Sequence, residues 1–345
     1  MSSKKSDGAM LSIDDLRQVT FSITRKCNLT CDWCFNDAGK RYEDVLDTET
    51  LVRILESISP YAEGITFTGG EPFLVRDIGD LIQKAIYLDF KEISITTNGV
   101  AIPRKYEPLL QHKRIALAIS IDGDEPRHDS NRGAGTFART KKRIEELVEA
   151  GINVALFMTV SKRNLDCVPA LLDLANELGV IGVSFQRLRC IGRGRNFNEE
   201  ALSNVELKTL ASYIQSAQEK ITKYFVNFKD PMRNLLNEEF VAVYKDLPQN
   251  YICGGCQAGI SYLYITEEGI VQPCAFLNIP LGHMLKDDLV DIWEHSEVLN
   301  SLRNKNRYKV CNLCTYWHMC RGCRADAYNT TGDYMAGDPS CWTNR

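Results

Sequence analysis

The chain has 345 residues, enough for two or three domains of roughly 100–200 residues each. Its 44% hydrophobic and 25% charged content is that of an ordinary globular protein, and a net charge of -4 gives no case for a nucleic-acid or membrane partner. The polar start, residues 1–7, leads into no apolar signal core. The longest apolar run, residues 152–160, contains Asn153 and Thr159 and is too short to span a bilayer, so a cytoplasmic protein is expected. Thirteen cysteines in a chain of this size, odd in number and clustered in spacing, argue for metal binding rather than a disulfide framework.

Strand patterns are predicted at residues 19–23, 65–68, 93–96, 115–121, 154–160 and 183–188, with helical patterns between them. One helix carries Ile78, Leu81, Ile82, Ala85 and Ile86 at helical spacing. Another starts near Thr136 and stops at Gly151. Six such repeats predict an α/β fold, a partial (β/α)6 TIM-like barrel. A complete eightfold barrel usually takes about 250 residues. The expected division is an N-terminal extension (1–18), the barrel (19–195), a helical bridge (196–250) and a small cysteine-rich domain (251–345). That last part is expected to be organised by metal rather than by a large apolar core.

Just after the first strand, Cys27, Cys31 and Cys34 form a C-x3-C-x2-C triplet closed by Phe35. Three thiolates can hold a cubane of four irons while one iron stays open, whereas electron-transfer clusters mostly use four cysteines. The alternative is a partial zinc site, but a structural zinc wants four ligands and no fourth Cys or His lies nearby. After the second strand comes Gly69-Gly70-Glu71-Pro72, where adjacent glycines let a backbone edge approach a ligand. After the third comes Thr96-Thr97-Asn98-Gly99. After the fourth comes Ser120-Ile121-Asp122-Gly123, then His128-Asp129, Arg132-Gly133 and Gly135-Thr136-Phe137. Asp122 suits either a ligand contact or a turn cap. His128 has no metal-like spacing to another histidine, which leaves a surface or hydrogen-bonding role. Arg187, Arg189, Arg193 and Arg195 crowd the loop after the sixth strand, fit to attract a carboxylate or to form a solvated basic loop. Cys167 reads as a packed thiol, and Cys190, close to the barrel mouth, as a packed thiol or a substrate contact.

The tail holds Cys253-x2-Cys256, Gly269-x4-Cys274, Cys311-x2-Cys314-x5-Cys320-x2-Cys323 and Cys341. Two zinc ribbons are the alternative to iron here.

The triplet, the Gly-Gly-Glu-Pro run one repeat later and the fourth-strand block together resemble the radical S-adenosylmethionine (SAM) superfamily. They resemble in particular the subgroup with anaerobic sulfatase-maturating enzymes and peptide maturases. The tail resembles the SPASM extension, which carries two auxiliary 4Fe–4S clusters. The family has three residues before the fourth cysteine of the second group, where this chain has two. The resemblance implies three 4Fe–4S clusters and SAM as cofactors. Cys27, Cys31 and Cys34 would hold the SAM cluster, and Gly69, Gly70, Glu71, Pro72, Asn98, Ser120, Asp122 and Arg132 would bind SAM. Ser120 would contact its sugar and Arg132 its carboxylate. Cys253, Cys256, Cys274 and Cys323 would hold the first auxiliary cluster, and Cys311, Cys314, Cys320 and Cys341 the second.

The implied activity is reductive cleavage of SAM to a 5′-deoxyadenosyl radical that abstracts hydrogen from a peptide or protein side chain, with the auxiliary clusters accepting the substrate electron. The expected outcome is a thioether or carbon–carbon crosslink in a ribosomal peptide. Small-molecule or tetrapyrrole side-chain oxidation is the alternative. Formylglycine maturation of a sulfatase fits less well, because Ala275 stands where those enzymes carry an aspartate base. A non-catalytic electron carrier would have no need of residues 69–72. The implied partners are the peptide or small-molecule substrate and a low-potential flavodoxin or ferredoxin. For a leader-peptide substrate, a separate leader-peptide-binding protein is also expected, because about twenty residues before the first strand are too few for a fused one.

Overall fold

The computed structural model describes residues 11–244 and 252–343. Ten strands among them form one sheet. They are β1 (Gln18–Ser22), β2 (Gly64–Thr68), β3 (Glu92–Thr97), β4 (Ile115–Ser120), β5 (Val154–Val160), β6 (Gly182–Arg187), β7 (Phe225–Phe228), β8 (Tyr262–Ile265), β9 (Ile270–Gln272) and β10 (Gly282–His283). The order is β10-β9-β8-β1-β2-β3-β4-β5-β6-β7. Every pair from β8 through β7 is parallel, and β9 and β10 add on antiparallel.

The six predicted strands are β1 to β6, each placed within one residue at either end. The expected partial barrel is present, and the parallel run is one strand longer on each side. β7 lies in the stretch expected to be a helical bridge. Its four residues are too few for a periodic signal beside the long amphipathic helix before them. β8 lies in the cysteine-rich tail and pairs with β1, Thr20 opposite Tyr264.

The helices are α1 (Thr48–Ile58), α2 (Ile78–Tyr87), α3 (Glu107–Leu110), α4 (Glu125–Arg132), α5 (Thr136–Glu149), α6 (Val168–Leu178), α7 (Asn204–Lys220), α8 (Glu238–Tyr244), α9 (Leu289–His295), α10 (Glu297–Arg303) and α11 (Arg324–Thr331). They begin where capping chemistry allows. Asp47 accepts from Thr50 N at 2.8 Å at the start of α1, and Ser203 and Glu206 form a capping box on α7. α1 buries Leu51, Ile54, Leu55 and Ile58 on one stripe against the sheet.

Strand alternation sorts the residues between two faces. Val19, Phe21, Ile65, Phe67, Leu117 and Ile119 are fully buried in the core that the helices cover. The opposite face carries Thr20, Thr66, Ser94, Thr96, Gln186 and Asn227, all of them half-open. The register places Thr20 beside Thr66, Thr66 beside Ser94, and Ser184 beside Asn227, so this face is polar along β1–β3 and β6–β7, with Ala116, Ala118 and Phe157 between them on β4 and β5. A closed TIM barrel fills its interior with branched apolar side chains. This lumen is instead lined for water or a polar ligand.

The tail has more apolar core than its composition suggests. Trp293, Tyr308 and Trp317 are fully buried and join the barrel's own core cluster. Their spacing has no period, which hid them in the sequence. The Trp293 indole also donates to Ser12 O at 2.7 Å, which docks the residues before β1 onto α9. Among the described residues no helix is long and apolar enough to cross a membrane. Phe67→Ala, which removes a fully buried ring between β2 and the helices, is expected to cost about 3–5 kcal/mol in chemical denaturation.

Candidate active site

The triplet sits on the loop that leaves the C-terminal end of β1, at the mouth of the lumen. This loop is clamped on several sides. Gly70 N donates to Thr24 O at 2.7 Å and Glu71 N to Lys26 O at 2.9 Å. A Cβ at Gly69 would lie 2.2 Å from Thr24 O, and one at Gly70 would lie 2.1 Å from Lys26 O. The glycine pair is therefore required by the close approach of the chain's own cysteine loop. Opposite, a Cβ at Gly192 would lie 2.4 Å from both Cys34 O and Phe35 O. Arg193 N donates to Cys34 O at 3.1 Å, and the Arg193 guanidinium donates to Cys31 O at 2.8 Å, to Ala38 O at 2.6 Å and to Asp37 at 3.0 Å.

Glu71 is fully buried. Its carboxylate accepts from Thr97 Oγ1 at 2.7 Å, Asn98 N at 2.8 Å and Phe73 N at 3.2 Å. Burial raises its pKa, and those three donors oppose the rise. Pro72 opens the short turn that follows. Asn98 Nδ2 reaches Asn28 Oδ1 at 2.8 Å and lies 3.9 Å from Cys27 Sγ. Glu71 and Asn98 thus tie β2, β3 and the cysteine loop into one rim.

Asp122 is fully buried, with Oδ2 accepting from Arg132 Nε at 2.7 Å and Asn131 Nδ2 at 2.6 Å, and Oδ1 accepting from Thr159 N at 3.1 Å. Its carboxylate is saturated by the protein and orients Arg132, whose charge acts on Cys31. Ser120 is buried on the lumen side, its register partner on β5 being Phe157. The rest of the block is a cap. Asp129 accepts from Gly135 N, Thr136 Oγ1 and Phe137 N at the start of α5. His128 is buried, and its Nδ1 accepts from Asp122 N at 3.3 Å.

The basic loop after β6 is neither solvated nor open to a ligand at most of its arginines. Arg187 is buried and contacts Asp230 at 3.1 Å, Asp326 at 3.0 Å and Asp338 at 3.2 Å. Arg189 is buried and bonds Asp326 at 2.7 Å. Asp338 also accepts from Cys323 N at 2.7 Å. This network joins β6, the segment after β7 and α11. Arg195 is exposed.

All thirteen cysteines are free thiols. Burial pushes Cys27 up to about 12, and burial pushes Cys31 up to about 11, against the pull of Arg132. In the tail, burial raises Cys253 to about 11 and Cys274 to about 12, and it carries Cys320 and Cys323 well above the ordinary thiol range. Such thiols become thiolates only when a strong cation compensates. Backbone N–H groups already point at the sulfurs: Leu29 to Cys27 at 3.4 Å, Ala38 to Cys34 at 3.4 Å, Phe276 to Cys274 at 3.3 Å, Gly322 to Cys320 at 3.3 Å and Asp326 to Cys323 at 3.4 Å. Donors to sulfur are one of the levers that tune iron–sulfur ligation, so the residues fit that group. Among the described residues no three His, Cys, Asp or Glu side chains converge to hold a single metal ion. A cubane spreads its ligands over separate irons and needs no such convergence. Cys167 is buried in the core, and Cys190 is half-buried with Sγ 3.9 Å from Phe197 O.

Two family models match the chain, the Radical SAM superfamily over residues 21–175 and an iron–sulfur cluster-binding domain, SPASM, over residues 253–324. The chain belongs to the radical SAM superfamily. It is an enzyme of the SPASM-bearing branch, whose cofactors are 4Fe–4S clusters and SAM. It is 28% identical over 335 residues to the AdoMet-dependent heme synthase of Nitratidesulfovibrio vulgaris, covering 94% of this chain and 91% of that one. It is 27% identical over 334 residues to the mycofactocin maturase MftC of Mycolicibacterium smegmatis, covering 94% and 82%. Among solved structures, Streptococcus suis SuiB bound to its precursor peptide SuiA has the same fold, with TM-score 0.78, 19% identity, and coverage of 96% of this chain and 77% of that one.

Sequence reasoning passed over several residues that build this radical SAM site. Gly192 and Arg193 were legible only as a basic, glycine-containing loop. Trp33, inside the triplet, is buried and packs edge-on to Phe197 at 6.1 Å. Phe35 meets Phe276 at 5.3 Å, linking the first cysteine loop to that of Cys274. Arg321 is buried and donates to the carbonyls of Gly254 and Cys256, bracing the Cys253–Cys256 loop.

Gly70→Ala is expected to displace the cysteine loop and lower bound iron several-fold after anaerobic reconstitution, with far-UV circular dichroism unchanged. His128 is held neutral by burial, with a pKa near 4 against an ordinary 6.5. Its unfolded form takes the proton first, so its contribution is complete above pH 6.5 and is lost as pH falls towards 4. The loss is roughly 3 kcal/mol. Denaturation of His128→Asn compared with wild type across pH 4–7 is expected to show that slope only in wild type.

Proposed function

We propose that this chain cleaves SAM reductively at its three-cysteine cluster and takes a hydrogen atom from a substrate held in the barrel lumen. One observation carries the reading: a rigidly clamped cysteine loop stands at the mouth of a polar, half-open lumen. With iron, sulfur and SAM bound, Cys27, Cys31 and Cys34 would hold the cluster, which would supply the one-electron chemistry that opens the sulfonium carbon–sulfur bond to methionine and a 5′-deoxyadenosyl radical.

In this reading Cys27, Cys31 and Cys34 ligate the SAM cluster. Arg132, aimed by Asp122, meets the SAM carboxylate, and Ser120 faces its sugar. Gly69, Gly70, Glu71, Pro72 and Asn98 hold the rim on which SAM rests. Cys253, Cys256, Cys274 and Cys323 form one auxiliary set, and Cys311, Cys314, Cys320 and Cys341 the other. Support comes from proximity. Cys256 acts electrostatically on Cys274, and Cys274 and Cys323 share one apolar cluster. Cys314 and Cys341 act on Cys311, and Cys311 acts on Cys320. The second group of cysteines would take up the electron left on the substrate, and a flavodoxin or ferredoxin would supply the first. The division at residues 195 and 250 goes with this assignment, with the sheet running across it through β7 and β8.

The substrate we propose is a peptide side chain. This is supported by the full set of eight tail cysteines and by the likeness to the maturase MftC. A tetrapyrrole side chain is the second reading, favoured by the heme synthase relative, which matches this chain over 91% of its own length.

Anaerobic protein given SAM and dithionite is expected to release 5′-deoxyadenosine, and Cys31→Ala to reduce that release to background. Iron-free protein holding only zinc would contradict the assignment. A mass change in a small peptide encoded beside this gene, after co-expression, supports the first substrate reading. Substrate-dependent turnover of iron coproporphyrin III supports the second.

A further inference from the structure

Lys229 follows the last residue of β7 and extends its ladder, its N–H donating to Phe185 O at 2.8 Å. Alternation places it on the lumen side. Val226 and Phe228 are buried under the helices, whereas Asn227 and Lys229 stand on the polar face. Its side chain keeps an open surface, yet protein surrounds it closely enough for desolvation to lower its pKa. Its ammonium lies 5.2 Å from the centroid of the Phe157 ring on β5. Phe157 is in turn the register partner of Ser120 on β4, so the amine reaches across β6 towards the SAM side of the lumen.

Most of the other basic groups at this end of the barrel have an acidic partner, whereas Lys162 and Arg233 donate to the carbonyls of Glu199 and Asp230 and Arg195 is exposed. Arg132 is paired with Asp122, Arg187 and Arg189 with Asp230 and Asp326, Arg193 with Asp37, and Arg163 with Asp32 and Glu200. Asp230, the adjacent residue in sequence, is buried and committed to Arg187 at 3.1 Å. Lys229 has no acidic partner among the described residues, and the ring beneath it supplies a weak attraction only. An ammonium without a counter-charge beside it is free to take a carboxylate that arrives with a ligand, through a charge-assisted bond.

We propose that Lys229 anchors a carboxylate of the substrate inside the barrel. This rests on the reading above that the lumen is the substrate site. A carboxylate held over Phe157 places the carbons next to it alongside Ser120, where the SAM sugar is expected. Both substrate readings can supply the group, as an acidic side chain or terminus of a peptide or as an acidic side arm of a tetrapyrrole.

The test uses anaerobic, cluster-loaded protein with SAM. Lysines are reductively methylated with 13C-formaldehyde, and the Lys229 resonance is identified by its absence from Lys229→Arg. Benzoate is expected to move that resonance, and benzamide, uncharged and of the same shape, to leave it in place. Equal effects of the two would overturn the anchor, as would no effect of either. In a second arm, coproporphyrin III is expected to bind Lys229→Met at least about tenfold more weakly than wild type, Lys229→Arg to recover most of the affinity, and the tetramethyl ester to bind all three alike and weakly. Undiminished binding of coproporphyrin III to Lys229→Met overturns the anchor. A benzoate response without coproporphyrin binding upholds the anchor, removes the tetrapyrrole reading and leaves the carboxylate to a peptide.

Discussion

Everything in this protein is arranged around the backbone of one loop. Residues 24–39 must carry three thiols, Cys27 buried and Cys31 and Cys34 half-buried, at the mouth of the lumen, and a free loop of that length would not hold them in place. Gly69 and Gly70 press against it from β2, Gly192 presses from the segment after β6, and Arg193 collects its carbonyls at Cys31 and Ala38. A side chain at either glycine contact would collide with backbone rather than with a yielding side chain. Four of the signature groups, Gly69, Gly70, Glu71 and Asn98, are thus spent on rigidity, the form of preorganisation that an open-iron centre needs.

The second constraint is the division of labour between the two faces of the sheet. The outer face is apolar and supplies the stability, packing Phe21, Phe67 and Leu117 under the helices. The inner face is free to be polar because it contributes little to the core. That freedom leaves Ser120 and Lys229 on this side of the sheet. The ion network of Arg187 and Arg189 with Asp230, Asp326 and Asp338 then fastens the cysteine-rich tail to the barrel, with Asp338 holding the N–H of Cys323. Such a network adds little net stability by itself, since buried charges lose hydration. Its value lies in fixing the position of the tail cysteines relative to the lumen.

Much of this was legible in advance. The cysteine triplet and the six central strands could be read because thiol spacing and period-two alternation are local signals. β7 and β8 escaped because strands of four residues have too little pattern, and because β8 joins the sheet by a contact more than two hundred residues from β1. For Glu71 and Asp122, sequence shows that the carboxylates gather at the rim but not which protein donors they take, which come from Thr97, Asn98, Asn131 and Arg132. Arg187 and Arg189 looked like a basic loop because their three aspartates come from distant segments. The polarity of the lumen was the missed opportunity. Thr20, Thr66, Thr96 and Gln186 alternate with apolar neighbours in plain view, and a closed, packed barrel would have had no place for them.

The central claim is that the Cys27–Cys31–Cys34 loop presents an iron with a free coordination site to SAM. Electron paramagnetic resonance of the dithionite-reduced protein, recorded with and without SAM under anaerobic conditions, tests it most directly. The account predicts that SAM changes the signal of one cluster, and that this change disappears in Cys31→Ala while the other cluster signals persist. A spectrum indifferent to SAM in fully loaded wild-type protein would contradict it.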